Sequence, residues 1–332
     1  VFFHTGVVLG SLILVLTGAV FFTNAIEWLG IRLAVKEGAV GSLLAALGTA
    51  LPEILIPIVA ILAGTRGGSA IGIGAILGAP FMLSTAALAL AGAAGLLFTR
   101  RRGTGRLYPD PRPIRRDLGF FLATWTLVIV ASFAPRGLRL ALPILLLSAY
   151  TGFVFLVLSR GRRMDRQEMS RLFFARRKDT PPLGPILCQL ILSFAVITVG
   201  VHYFVTFIES LAGFLKLPVL LFSLLAAPLA SETPELVNSI LWIGRKKDTL
   251  ALGNITGAMV LQSSVAPVVG LLFTPWALPP AALVSAVLTL LAAGSAYLFV
   301  TRRGHLSGAF LLAMGGLFYL CFLGLVITSS GY

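Results

Sequence analysis

Charge is what this sequence has least of. Only 11% of its 332 residues are Asp, Glu, Lys or Arg, against about 25% in ordinary soluble domains. Hydrophobic residues make up 58%, and the mean hydropathy is +0.98. A water-soluble fold of this size needs far more polar surface, so that class is excluded. Histidine and cysteine are scarce as well, with three and two copies. Cys188 and Cys321 both sit in apolar runs, which leaves no disulfide framework and no metal-ligand spacing. His-Glu-x-x-His, a Ser/His pairing and a phosphate loop are all missing, so an intramembrane enzyme is disfavoured. The chain starts at Val1 with no basic segment ahead of its first apolar run, which is read as a retained helix.

What is there is a series of apolar runs, each long enough to cross a bilayer. The backbone must satisfy its own hydrogen bonds in lipid, which leaves helices or closed barrels. The runs are continuous rather than alternating, so helices are expected. Ten spans are placed at roughly 6–34, 39–64, 68–98, 117–134, 139–158, 186–214, 218–244, 249–274, 278–300 and 306–328. The second and seventh contain proline among small residues, and a break is expected in each. Of the 26 Lys and Arg residues, 22 fall in alternate loops on one side and four (Arg66, Arg136, Arg139, Lys216) on the other. That asymmetry puts the rich side in the cytoplasm and both termini outside. The net charge of +14 thus reads as a topology signal with attraction for anionic lipid, not as a nucleic-acid footprint. The membrane expected is the plasma (inner) membrane. Trp28, Trp125, Trp242 and Trp276 are read as interfacial anchors.

The acids reveal the organisation. Five of the 12 lie inside apolar segments: Glu27, Glu53, Glu209, Glu232 and Glu235. Glu27 and Glu209 are 182 residues apart, and so are Glu53 and Glu235. Leu-Gly-Thr-Ala-Leu-Pro-Glu at 47–53 faces Leu-Ala-Ser-Glu-Thr-Pro-Glu at 229–235. A Gly-x-x-x-Gly follows each, Gly74/Gly78 and Gly253/Gly257, at an offset of 179; such pairs allow close helix contact. The division expected is a first half at 1–158 with its motif at 48–80, a basic cytoplasmic linker at 159–185, and a second half at 186–332 with its motif at 230–262. Five spans per half is an odd number, so the second half enters the membrane inverted. The fold class is an all-α membrane protein of about ten transmembrane helices in two five-helix inverted-topology repeats. That plan belongs to transporters that expose a midplane site alternately to either side.

A charge at the bilayer centre costs roughly 2.5–3.5 kcal/mol on insertion scales. No Lys or Arg lies at matching depth in the second and seventh spans, so the carboxylates are either protonated or hold cations. Proline frees an upstream carbonyl, and Gly48, Thr49 and Pro52, with Pro228, Ser231, Thr233 and Pro234, mark the breaks. Carbonyls, hydroxyls and carboxylates together make an all-oxygen site suited to hard cations such as Ca²⁺ and Na⁺. Glu27 and Glu209 lie near span ends, either as interfacial residues or on an ion pathway. Glu232 is unpaired, its counterpart being Ala50; it is a proton site, an added cation ligand, or a residue facing a wet cavity.

Gly48-Thr49-Ala50-Leu51-Pro52-Glu53 and Ser231-Glu232-Thr233-Pro234-Glu235-Leu236-Val237-Asn238-Ser239 resemble the two α-repeats of the sodium/calcium exchanger superfamily, the cation/Ca²⁺ antiporters. Asn24-Ala25-Ile26-Glu27-Trp28-Leu29 looks like that family's first helix end, and Ala251-Leu252-Gly253-Asn254-Ile255-Thr256-Gly257 like the start of its third repeat helix. The resemblance implies Ca²⁺ binding by Glu53 and Glu235 with Thr49 and Ser231, exchanged for Na⁺ or H⁺, and no cofactor. Asn254 is kept from the family's polar pattern. Ala258 and Met259 replace its Ser and Asn, with Gln262 as a substitute or a pathway residue. Gly74 to Pro80 carries no polar ligand. Neutral oxygens are thus lost and one carboxylate, Glu232, is gained, which motivates H⁺ coupling through Glu232. The expected partners are the bilayer and the transported cations. Other readings are an antiporter of a different cation, and a membrane scaffold or sensor that retains the exchanger fold.

Overall fold

The structure is a computed structural model that describes residues 2–32, 51–62, 67–160, 171–175 and 180–329. Its helices follow the apolar runs. In the first half they are α1 (Phe2–Arg32), α2 (Leu51–Leu62), α3 (Gly68–Met82) running through a π turn at Leu83–Ala87 into α4 (Leu88–Leu97), the short α5 (Thr99–Arg102), α6 (Pro111–Val130) and α7 (Arg136–Arg160). In the second half they are α8 (Leu183–Phe214), α9 (Val219–Ser231), α10 (Thr233–Gly244), α11 (Asp248–Ser264), α12 (Ala266–Phe273), α13 (Pro280–Arg303) and α14 (Gly308–Ser329). Seven of the helical stretches are long and apolar enough to cross a membrane by themselves. This is a multi-pass membrane protein with the ten-span, inverted-repeat plan.

The seventh span breaks at Glu232, between α9 and α10. Pro234 has no N–H to return to the upstream turn, so the ladder is interrupted there. In the second span α2 begins at Leu51, and the stretch before it, with Thr49, lies outside the described residues. Two further irregularities were not foreseen. The π turn at Leu83–Ala87 and the interruption at Val265 between α11 and α12 fall at equivalent places under the 179-residue offset. Pro267 stands just after the second of these and again removes a donor.

Two apolar cores hold the helices. The larger joins α3, α4, α6, α11, α13 and α14 through residues such as Leu77, Phe81, Phe121, Ile255, Met259 and Phe322. The smaller joins α1 and α8 to α2 and to the near faces of α3 and α9, through Val15, Phe22, Ile56, Ile71, Val201 and Phe204. Small residues set the closest approaches. A Cβ on Gly18 would lie 3.1 Å from the Ser193 carbonyl oxygen, and one on Gly200 would lie 3.0 Å from that of Ser11. These two glycines are themselves 182 residues apart, so the repeat also builds the α1–α8 contact. Gly74 and Gly78 let α3 meet α9, where a Cβ would stand 2.5 Å and 2.1 Å from the carbonyl oxygens of Leu220 and Leu224. Gly253 and Gly257 meet nothing within 4 Å among the described residues; their symmetry-related neighbour, the start of the second span, is not among them.

Two tryptophans depart from the anchor reading. Trp125 and Trp276 are fully buried. Their indole N–H groups donate to the carbonyls of Ala286 and Val128, at 3.0 and 3.1 Å. A buried indole needs such a partner, and core carbonyls supply it here in place of headgroups.

On the Arg-rich side the halves are stitched together. Arg102 is buried and grips Asp248 with two bonds of 2.8 and 2.7 Å. It also donates to the carbonyls of Ile243 and Arg106. Asp248 accepts a further bond from the Tyr108 N–H at 2.7 Å. Beside this clasp, β1 (Arg106–Leu107) pairs antiparallel with β2 (Leu306–Ser307).

Candidate cation site

Glu53 and Glu235 sit in the first turns of α2 and α10, two helices of 12 residues each that begin 182 positions apart. A helix start presents free N–H groups and the positive end of its dipole, which favours a carboxylate there. Glu232 occupies the break just ahead of α10. Gln262 reaches in from α11, two residues before that helix ends. All four side chains are buried, Glu232 and Gln262 almost completely.

One oxygen from each of Glu53, Glu232 and Glu235 lies within 4.8 Å of the other two. The Gln262 amide nitrogen bridges two of them, donating at 2.7 Å to Glu53 Oε2 and at 2.7 Å to Glu232 Oε1. Glu53 Oε1, Glu232 Oε2, Glu235 Oε2 and Gln262 Oε1 are buried with no hydrogen-bond partner. The ion pairs among the described residues, Arg102–Asp248 and Arg116–Asp117, lie elsewhere. Two like charges 4.8 Å apart repel by about 3–4 kcal/mol at an effective dielectric of ~20. The cluster therefore needs protons or cations to neutralise it. Four inward oxygens without partners form a donor set of the hard kind that Ca²⁺ or Na⁺ takes.

The other candidate residues stand outside this cluster. Ser231 is buried, but its hydroxyl donates back to the Ala227 carbonyl at 3.4 Å. Asn254 donates to the backbone carbonyl of Glu235 at 3.4 Å, which pins α11 to α10. Glu209 lies on α8, with its carboxyl group 2.8–2.9 Å from where a Cβ on Gly67, just ahead of α3, would stand. Thr49 and the side chain of Glu27 are outside the described residues. Gln262, read as a substitute for the family's polar residue or as a pathway residue, touches two of the three glutamates.

Sequence reasoning missed two further buried carboxylates, Asp248 in the clasp with Arg102 and, on α6, Asp117. It accepts from Arg116 at 2.7 Å and from Thr256 at 3.1 Å. It also missed the Asn24–Gln189 contact between α1 and α8. The 182-residue offset would have found Gly18 and Gly200; nothing in the pattern marks Asp117.

The model of the family described as sodium/calcium exchanger protein matches residues 3–159 and again 185–331. The chain belongs to this family. Solved structures of similar fold extend over nearly all of this exchanger-family chain. A crystal structure of the H⁺/Ca²⁺ exchanger CAX is 18% identical and superposes with a TM-score of 0.73, covering 96% of this chain and 82% of that one. Native YfkE is 16% identical with a TM-score of 0.68, covering 96% and 91%. The sodium-calcium exchanger NCX_Mj is 18% identical with a TM-score of 0.58, covering 97% and 98%. No curated protein sequence matches the chain.

Proposed function

We propose that this protein is a secondary cation antiporter that exchanges Ca²⁺ for H⁺ or Na⁺ at a midplane site built on Glu53 and Glu235. One observation carries the reading. Three buried carboxylates from both halves converge within 4.8 Å, with unsatisfied oxygens and no basic partner among the described residues. The family membership and the inverted repeat support alternating access as the mode of action. The two halves proposed are 1–158 and 186–332, joined by the basic linker 159–185, with the Arg-rich loops cytoplasmic and both termini outside.

Proton coupling is favoured over sodium coupling for this chain. Sodium sites want several neutral oxygens, and the family's Ser and Asn positions are Ala258 and Met259. The extra group at the site is Glu232, a carboxylate that protons can discharge. In the proton-loaded state the three acids are neutral. In the cation-loaded state Glu53 and Glu235 offset a divalent charge while the Gln262 amide turns its oxygen inward.

The test is ⁴⁵Ca²⁺ uptake into proteoliposomes under an outward Na⁺ gradient or with an acidic lumen, comparing wild type with Glu235→Gln. Uptake driven by the pH gradient and lost in the variant supports H⁺/Ca²⁺ antiport. Uptake driven by Na⁺ alone would overturn the proton assignment. No uptake under either gradient, with folded and inserted protein, would sink the Ca²⁺ reading and favour another cation or a silent scaffold.

A further inference from the structure

Residues 171–175, between the halves in sequence, dock on α1 and α8. Leu172 is fully buried. The Phe173 ring stacks on Phe21 with centroids 4.5 Å apart, and Phe174 meets the same ring edge-on at 6.1 Å. The backbone is held as well. The Phe173 N–H donates to Asn24 Oδ1 at 3.2 Å and the Phe174 N–H to Gln189 Oε1 at 3.0 Å. Gln189 Nε2 in turn donates to the Phe21 carbonyl at 2.8 Å and to Asn24 Oδ1 at 3.0 Å. Asn24 Nδ2 donates to the Arg171 carbonyl at 3.4 Å. One buried amide from each helix is thus joined to the other, and one short segment grips both.

The rest of the attachment of α1 and α8 is different in kind. Their inner faces meet α2, α3 and α9 through apolar side chains, among them Ile56, Ala60, Ile71 and Ala227. Ser193, Thr198, Thr206 and Ser210 of α8 bond back to their own helix. Apolar contact opposes separation but is non-directional, whereas hydrogen bonds fix a register. Under the 182-residue offset the equivalents of Asn24 and Gln189 are Thr206, exposed and bonded to the His202 carbonyl, and the apolar Val7. The helix pair packs on α2, whose first turn carries Glu53.

We propose that residues 171–175 are a positioning strap that locks the register of α1 against α8, with Asn24 and Gln189 as its positioning residues. The strap sets the turnover of the carrier, not the affinity of its site. The inference rests on the antiport reading.

The experiment uses the full chain, with Gln189→Leu, Phe173→Ala and the conservative Phe173→Tyr. Hydrogen exchange in nanodiscs reads the Phe173 and Phe174 amides. Proteoliposome uptake reads turnover and apparent KM for Ca²⁺. Both amides are protected in wild type and exchange freely in Gln189→Leu and Phe173→Ala. In those two variants turnover falls about tenfold while KM stays within about twofold, the signature of a step that does not touch ground-state binding. Phe173→Tyr keeps the ring stack and restores both readings. Three results overturn the strap in a protein that transports: unprotected amides in wild type, freed amides with unchanged turnover, or a KM change at constant turnover. A wild type that moves no cation overturns the antiport reading and the strap's role with it, even if the amides stay protected.

Discussion

The two halves share a scaffold but contribute unequally to the site. The first gives one carboxylate, Glu53. The second gives Glu232, Glu235 and Gln262. At the matching places the first half has Ala50 and Leu83, apolar residues that cannot ligate or titrate. The irregularity at Leu83–Ala87 recurs in the second half at Val265; the added chemistry does not recur. An inverted repeat needs equivalent helices to work in two directions, yet a site on its axis is shared and need not be symmetric. Divergence in one half then tunes the charge of the site without disturbing the geometry that both halves set.

This contrast can be broken by giving one half the residues of the other. The largest effect is expected from the carboxylates that remain symmetric. Glu53→Gln and Glu235→Gln should each cut uptake by about 100-fold or more, because each removes a transition-state or ground-state charge from the same ion. Uptake that survives in one of them would mean that the site belongs to a single half. Next comes Glu232→Ala, which restores the first half's residue. Ca²⁺ binding measured by calorimetry should persist, while the component of uptake driven by a pH gradient falls by about tenfold, equal to about 1.4 kcal/mol. Unchanged pH-driven uptake would remove Glu232 from the coupling step.

Smaller effects concern stability. Gln262→Leu, again the first-half residue, strips a bridging N–H pair from two carboxylates. The cation-free protein should lose about 1.5–3 kcal/mol, the range for hydrogen bonds to charged groups, and added Ca²⁺ should recover part of it by mass action. Thermal unfolding in chelator and in excess Ca²⁺ measures both. Gly78→Ala acts on packing alone: a methyl would run into the backbone carbonyl of Leu224, which cannot swing aside. It should cost about 3 kcal/mol, the upper end of overpacking. A Gly78→Ala melting point equal to that of the wild type would show that α3 and α9 do not approach as closely as the structure has them.

Much of this molecule was legible in its sequence because lipid simplifies the problem. Spans are apolar runs, loops carry the arginines, and an intramembrane acid stands out against everything around it. Glu53, Glu235 and Glu232 were found for that reason. The neutral partner was harder. Gln262 costs less to bury than a charge and has no mate at its own offset, so pattern alone could not place it between two glutamates. Asp117 was hidden by its neighbour Arg116, with which it reads as part of a basic loop. Trp125 and Trp276 misled because an amphipathic ring satisfies its N–H equally well with a headgroup or a buried carbonyl. The pairing of residues 171–175 with α1 depends on contacts 147–149 positions apart, which no local pattern encodes.

The clasp between Arg102 and Asp248 carries a consequence for how the chain is made. Its two members are 146 positions apart, and β1 waits still longer for β2. At about 5–20 residues per second of synthesis, the guanidinium stays in water for several seconds to half a minute before its carboxylate emerges. The first half therefore leaves the ribosome with this edge unsealed, and the seal is completed only when β2, just before the last span, arrives. A chain stopped short of residue 306 lacks β2 and leaves β1 unpaired, however well its early spans have inserted.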